Sequence, residues 1–144
     1  NMKIKFKKLN PEAKLPEYGH PGEDAGLDLF SLESTEIKPG ERHLFSLGFA
    51  LEFERGFAAI IKDKGGPPFK YGLHTMGGVF DSGYRGEYNV LSINLSEETV
   101  IIKKGQKIAQ LVIYPIAFAE LEEVDELDNT SSRGAGQHGS TGEF

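Results

Sequence analysis

The chain has 144 residues, 38% of them hydrophobic and 26% charged, with a net charge of −6 and no cysteine. That length supports one domain with one modest core, and no apolar run approaches the roughly 18 residues of a membrane span. Without cysteine there are no disulfides, thiolate metal sites or cysteine nucleophiles. The acidic balance disfavours general binding to a nucleic-acid backbone but leaves room for a small phosphate ligand met by a few local cations.

The elements read as short strands separated by turns. Met2, Ile4 and Phe6 alternate with Lys3, Lys5 and Lys7, a half-buried strand with a basic outer face. No basic stretch followed by an apolar core opens the chain, so no signal peptide is expected and a cytoplasmic location is the default. Residues 11 to 24 carry Pro11, Pro16, Gly19, Pro21 and Gly22 and read as a surface loop. Pro39-Gly40 predicts a turn, proline presetting its first central position and glycine accepting positive φ at the second. Leu47, Phe49, Leu51 and Phe53 fall on one face of an extended segment, and Leu91, Ile93 and Leu95 do so against Ser92 and Asn94. Gly56 and Gly105 punctuate like Gly40. Ile108 to Ile113 is almost continuously apolar, as for a strand covered on both faces, and Pro115 predicts an edge or break. Leu121, Val124 and Leu127 suit a short helix or an irregular strand equally. The tail from Asp128 to Phe144, rich in Gly, Ser and Thr, is expected to be disordered alone. No other segment carries a helical stripe, so the expected class is all-β, a sandwich or barrel.

Four clusters carry residue types suited to chemistry. In Ala25-Gly26-Leu27-Asp28-Leu29 a carboxylate follows a glycine, which also describes an ordinary strand start. In Lys62-Asp63-Lys64-Gly65-Gly66-Pro67-Pro68-Phe69-Lys70, consecutive glycines expose backbone N–H groups between lysines, an anion nest, and Pro67 can open a short helix. A Gly-Pro turn would read the same way. Gly77 to Glu87 is hairpin-like and places Asp81, a candidate general base, three residues from Tyr84, a flat face for a base or sugar. The tail offers Arg133, whose guanidinium can grip a phosphate bidentately, and the imidazole of His138; glycine-rich linkers also look like this.

In this order and spacing, the four clusters together with Gly105-Gln106-Lys107-Ile108-Ala109-Gln110-Leu111 resemble the five ordered motifs of trimeric dUTPases, over Ala25 to Gly142. The resemblance implies a distorted jelly-roll domain over residues 1–127 in a homotrimer. Residues 128–144 become a flexible arm closing a neighbouring active site. It implies hydrolysis of dUTP to dUMP and pyrophosphate, which limits uracil in DNA and supplies dUMP for thymidylate synthesis. Asp81 matches the water-activating acid. Tyr84 matches the aromatic under the deoxyribose that excludes a 2′-hydroxyl, and the backbone around Gly78 and Val79 matches the hairpin reading the uracil edge. Asp28 and Gln110 match positions that hold waters of the magnesium shell, Gln110 also a phosphate; the ion itself would be bound mainly by triphosphate and water. Arg133 matches the γ-phosphate arginine, and Gly139, Ser140 and Thr141 the small residues of the closing tail.

Two departures stand out. Lys64-Gly65-Gly66 occupies the place of the family's usual Arg-Ser-Gly, and His138 that of a phenylalanine stacking on uracil. Lysine keeps the charge but loses the planar fork, and Gly65 lacks a hydroxyl expected near the breaking bond. Gly65 therefore keeps open a catalytically weakened, nucleotide-binding regulatory protein with a protein partner. A dCTP deaminase of the same fold needs a glutamate on the strand after the hairpin, and Asn89 to Asn94 contains none.

Overall fold

The computed structural model describes residues 2–144. Eleven strands and one helix follow in order: β1 (Lys5–Lys8), β2 (Leu27–Phe30), β3 (Thr35–Ile37), β4 (Arg42–Ser46), β5 (Phe49–Glu52), β6 (Phe57–Lys62), α1 (Gly66–Tyr71), β7 (Leu73–Met76), β8 (Val79–Asp81), β9 (Asn89–Asn94), β10 (Val100–Ile102) and β11 (Lys107–Pro115). All pairings are antiparallel, in sheets ordered β2-β11-β6-β8, β4-β9-β7, β1-β5 and β3-β10. The protein is all-β, as expected, and its one helix is too short to cross a membrane.

Between the sheets lies one core. Leu47, Phe49, Leu51 and Phe53 are all buried in it, so their period-two pattern is realised. Phe6 sits opposite Leu51 and packs against the Phe49 ring at 5.0 Å, while Lys5 and Lys7 face out. The Pro39-Gly40 turn forms as expected: Gly40 has φ 76° and the Glu41 N–H donates to the Lys38 carbonyl at 3.0 Å. Residues 11 to 24 form a loop laid over β2, where the Asp28 N–H donates to the Glu17 carbonyl at 2.7 Å.

Three expectations are corrected. On β9 the buried face is Val90, Ser92 and Asn94; Leu91 and Ile93 are only half-buried, and Leu95, just beyond the strand, is 66% exposed. The buried Asn94 amide is fully engaged: its Nδ2 donates to the carbonyls of Ile37 and Glu98, and its Oδ1 accepts from the Ser96 backbone and hydroxyl. A satisfied amide costs little to bury, and with Tyr88 and Val90 inward, the pleat turns the leucines outward. Leu91 lies between Leu44 and Met76 in the register, so an apolar patch forms on the outer face of that sheet. On β11, cover on both faces holds at Ile108 and Ala109 but fails at Val112 and Ile113, which are half-buried; the strand does end at Pro115. Leu121, Val124 and Leu127 adopt neither helix nor strand and are exposed, because this stretch meets no second apolar surface of the same chain. From Ile116 onward no regular element forms.

Candidate active site

Residues of three motifs meet where β2, β11 and the end of β6 lie side by side in the four-stranded sheet. The register places Asp28 of β2 opposite Gln110 of β11, and Gln110 opposite Lys62 of β6. The buried Asp28 carboxylate is paired with Lys64 and, at 3.1 Å, with Lys107. Burial by itself pushes this carboxyl up, but the hydrogen bonds and charges of the two lysines outweigh it and hold it below its ordinary 3.8. One carboxylate against two ammonium groups leaves the cluster net positive. Gln110 is aimed by the backbone, its Nε2 donating to the Asp63 carbonyl at 2.8 Å. Gly26 makes the room: a Cβ there would lie 2.2 Å from the Gln110 Oε1. A cleft of about 310 Å³ elsewhere involves none of these groups, whereas one of about 200 Å³ is lined by Lys64, Gly66, Lys70, Gln106 and Lys107. Three lysines line that small cleft, which suits phosphate oxygens.

Next to it a helix, α1, does form with Pro67 in its first turn, directly after Gly66, and Gly72 closes it with φ 72°. Gly65 caps α1 with φ −60° and ψ −38°, a conformation open to any L-residue, and a Cβ on Gly65 or Gly66 meets nothing within 4 Å. The loop therefore has space for the side chain it lacks.

The hairpin forms a second group. Gly77 turns the chain with φ 80°, and the Gly78 carbonyl accepts from the Ile61 N–H at 2.9 Å. A Cβ on Gly78 would stand 3.0 Å from that of Ile61, tighter than ordinary packing, so the close approach favours glycine. Val79 and Asp81 pair with Ile60 and Ala58 and are exposed. Among the described residues the Asp81 carboxylate has no hydrogen-bond or ion-pair partner, while its carbonyl accepts from the Tyr84 N–H in a tight turn. Tyr84 is braced: its hydroxyl donates to the Glu87 carbonyl at 2.8 Å, and its ring stands 5.5 Å from Phe80 and 5.9 Å from Tyr88. A Cβ on Gly86 would collide with that ring at 2.4 Å from its hydroxyl. Tyr88 is fully buried, stacks on Phe80 at 4.2 Å, and its hydroxyl finds no partner among the described residues; burial, the largest cause, pushes it up to about 12.

These groups do not meet within one chain. Asp81 is opposite Ala58 and Gln110 opposite Lys62, four residues apart along β6, or about 13 Å at the strand rise. The tail forms a third, separate group. Arg133 donates through Nε to the Gly136 carbonyl of its own segment, the Ser140 N–H bonds the Gln137 carbonyl, and Arg133, His138, Gly139, Ser140 and Thr141 are all exposed. Sequence reading thus selected the residues of each group and named Lys70 and Lys107 within its motifs, but gave neither lysine a place in the site, although both line the cationic cleft, and it missed the support from Asp63, Gly26, Gly86, Phe80 and Tyr88. Only Gly26 and Gly86 carried a signal, as glycines beside motif residues.

Comparison with known proteins agrees over almost the whole length. A dUTPase family model matches residues 11–142. The chain is 50% identical over 143 residues to the deoxyuridine 5′-triphosphate nucleotidohydrolase of Nautilia profundicola, covering 98% of this chain and 99% of that protein. It is 46% identical over 143 residues to that of Clostridium kluyveri, with 98% and 99% covered. Its fold is similar to a dUTPase of Staphylococcus bacteriophage 80alpha solved with dUpNHpp, at 29% identity and a TM-score of 0.91, over 97% of this chain and 98% of that one. It also resembles the dUTPase of phage phi11 of S. aureus, described with a coordinated structural Mg(II) ion, at 26% identity and a TM-score of 0.81, over 88% and 99%. The chain belongs to the dUTPase family.

Proposed function

We propose that the protein hydrolyses dUTP to dUMP and pyrophosphate in the cytoplasm, at sites assembled from three copies of the chain. The observation that carries this reading is the free Asp81 carboxylate, exposed beside a braced Tyr84 yet about 13 Å from the cationic end of its own sheet. A group needing both halves obtains the second from another copy. The apolar patch of Leu44, Met76, Leu91 and Ile93 supports such an assembly, since unpaired apolar surface of this kind favours a protein partner.

In this reading the triphosphate lies in the cleft of Lys64, Lys70 and Lys107, against the N–H groups of Gly65 and Gly66. Uracil meets the backbone of Gly78 and Val79 from another copy, and the Tyr84 ring leaves no space for a 2′-hydroxyl. The Asp81 carboxylate takes a proton from water as the water oxygen bonds to the α-phosphorus. The bond from that phosphorus to the bridging oxygen breaks and pyrophosphate leaves. Arg133 of a third copy grips the γ-phosphate, with Gly139, Ser140 and Thr141 closing behind it and the His138 ring over the base.

Among the described residues no three His, Asp or Glu side chains gather as an ion site. The Asp28 carboxylate and Gln110 Oε1 are hard oxygen donors that fit magnesium through its water shell, the ion arriving with the triphosphate. When bound, it supplies charge neutralisation to the pyrophosphate.

The test is pyrophosphate release by the purified protein with dUTP, dCTP or UTP and magnesium, together with sedimentation. Release from dUTP alone by a trimer is expected. Ammonia from dCTP would make it a deaminase, tight dUTP binding without turnover a regulatory protein, and an active monomer would remove the shared site.

A further inference from the structure

Between the two lysines of the phosphate loop sits a carboxylate that the reading above does not use. Asp63 turns away from the cationic cleft. Its Oδ1 accepts from the Thr75 N–H at 2.7 Å, and its Oδ2 lies 2.5 Å from the His74 Nδ1. Its own carbonyl accepts from the Gln110 Nε2 at 2.8 Å. Thr75 and His74 belong to β7, the edge strand of the three-stranded sheet, whose outward N–H groups have no neighbouring strand. One residue therefore joins the end of β6, the edge of β7 and the side chain of Gln110 on β11. Its carboxylate is three-quarters buried, so these bonds act in a partly dry setting where they hold geometry firmly.

We infer that Asp63 is a positioning residue for the phosphate half of the site: anchored to β7 through its side chain, it fixes by its backbone the direction of Gln110 and the path of the Lys64–Gly66 loop. This rests on the dUTPase reading. The physical reason is that, apart from the start of α1, where the Phe69 N–H donates to the Gly65 carbonyl at 3.3 Å, the loop has little else to hold it. Gly65 and Gly66 contribute no side chain, and a Cβ at either would touch nothing. The Lys64 ion pair ties down only the tip of a long flexible side chain. Without the Asp63 anchor the loop regains backbone freedom that must be lost again when phosphates bind.

The experiment compares Asp63→Ala and Asp63→Asn with the parent, measuring affinity by calorimetry for dUpNHpp and for dUMP, which lacks the two outer phosphates. Asp63→Ala is expected to weaken dUpNHpp roughly tenfold or more, the usual scale for losing a group that orients a ligand-binding side chain, and to leave dUMP nearly unchanged. Asp63→Asn keeps an Oδ1 acceptor for the Thr75 N–H and is expected to restore most of the difference. Equal losses for the two ligands, or none, would overturn the inference, since a purely structural role weakens both alike. Exchange of the Gln110 side-chain amide protons, followed by NMR without nucleotide, separates this from the wider reading. Faster exchange in Asp63→Ala supports the anchor even if the parent fails to hydrolyse dUTP, and unchanged exchange refutes it even if the parent is active.

Discussion

Lys64 and Arg133 are both assigned to phosphate in the proposed site, and the chain treats them oppositely. Lys64 is held against a buried carboxylate at the end of a four-stranded sheet, in a cleft whose other cations are in place before any ligand arrives. Arg133 touches only its own segment, through the Gly136 carbonyl, in a tail with no buried residue. A prebuilt cluster binds with little loss of freedom, whereas the tail must lose conformational entropy on closing and draws that free energy from the ligand. In the proposed reading, the first half would confer standing affinity and the second would make closure depend on the full triphosphate.

The sharpest break of this comparison lies in the hairpin, which belongs to neither half. Asp81→Asn is expected to lower turnover at least about 100-fold while dUTP affinity stays within a few-fold, as for loss of a general base. Pyrophosphate release and equilibrium binding check both; unchanged turnover removes Asp81 from the role. Deleting residues 128–144 is expected to reduce kcat/KM roughly tenfold or more, the scale of losing a charge-assisted grip on phosphate, without lowering Tm. A lower Tm would mean that the tail is docked before ligand binds. Gly65→Ser is expected to raise turnover several-fold, below the roughly 100-fold that one preorganised donor can supply. The serine fits, because φ is −60° and the space is empty. No gain in steady-state rate would show that the loop's N–H groups already suffice.

The smallest effects are in stability against pH. Asp28 has a folded pKa below its unfolded 3.8, so its contribution is present above that value and is lost as pH falls through the lowered one. Thermal melting between pH 5 and 2 should therefore fall more steeply in the parent than in Asp28→Asn, about one carboxylate's share of the acid transition. Tyr88 is the opposite case. Its folded pKa is raised from 10.0 to about 12, so its contribution is complete below 10 and is lost as pH rises through that window. Tyr88→Phe should flatten the alkaline limb in urea unfolding; an identical limb would place the titrating group elsewhere.

Much of this was legible locally. The Pro39-Gly40 turn follows from proline's φ and glycine's tolerance, and the Leu47–Phe53 face from a period of two with aromatic and aliphatic residues on one side only. The β9 face was misleading. Three leucine or isoleucine residues share one face against Ser92 and Asn94, but hydropathy cannot register that Asn94 would find four partner groups on three residues, Ile37, Ser96 and Glu98, and so turn its own face inward. Nor can a spacing of three at Leu121, Val124 and Leu127 reveal that no surface of the same chain lies beneath it.

By itself, then, the amino-acid order determined the class of fold, the turns and the residues able to do chemistry, because backbone preference and side-chain type are local properties. Tertiary structure alone decided which face of β9 is buried, that Lys107 joins Lys64 and Lys70, that Gly26 makes room for Gln110, and that Asp81 on β8 stands apart from them, opposite the far part of β6. Those outcomes depend on strand register and on contacts between segments distant in the chain, which no local pattern encodes.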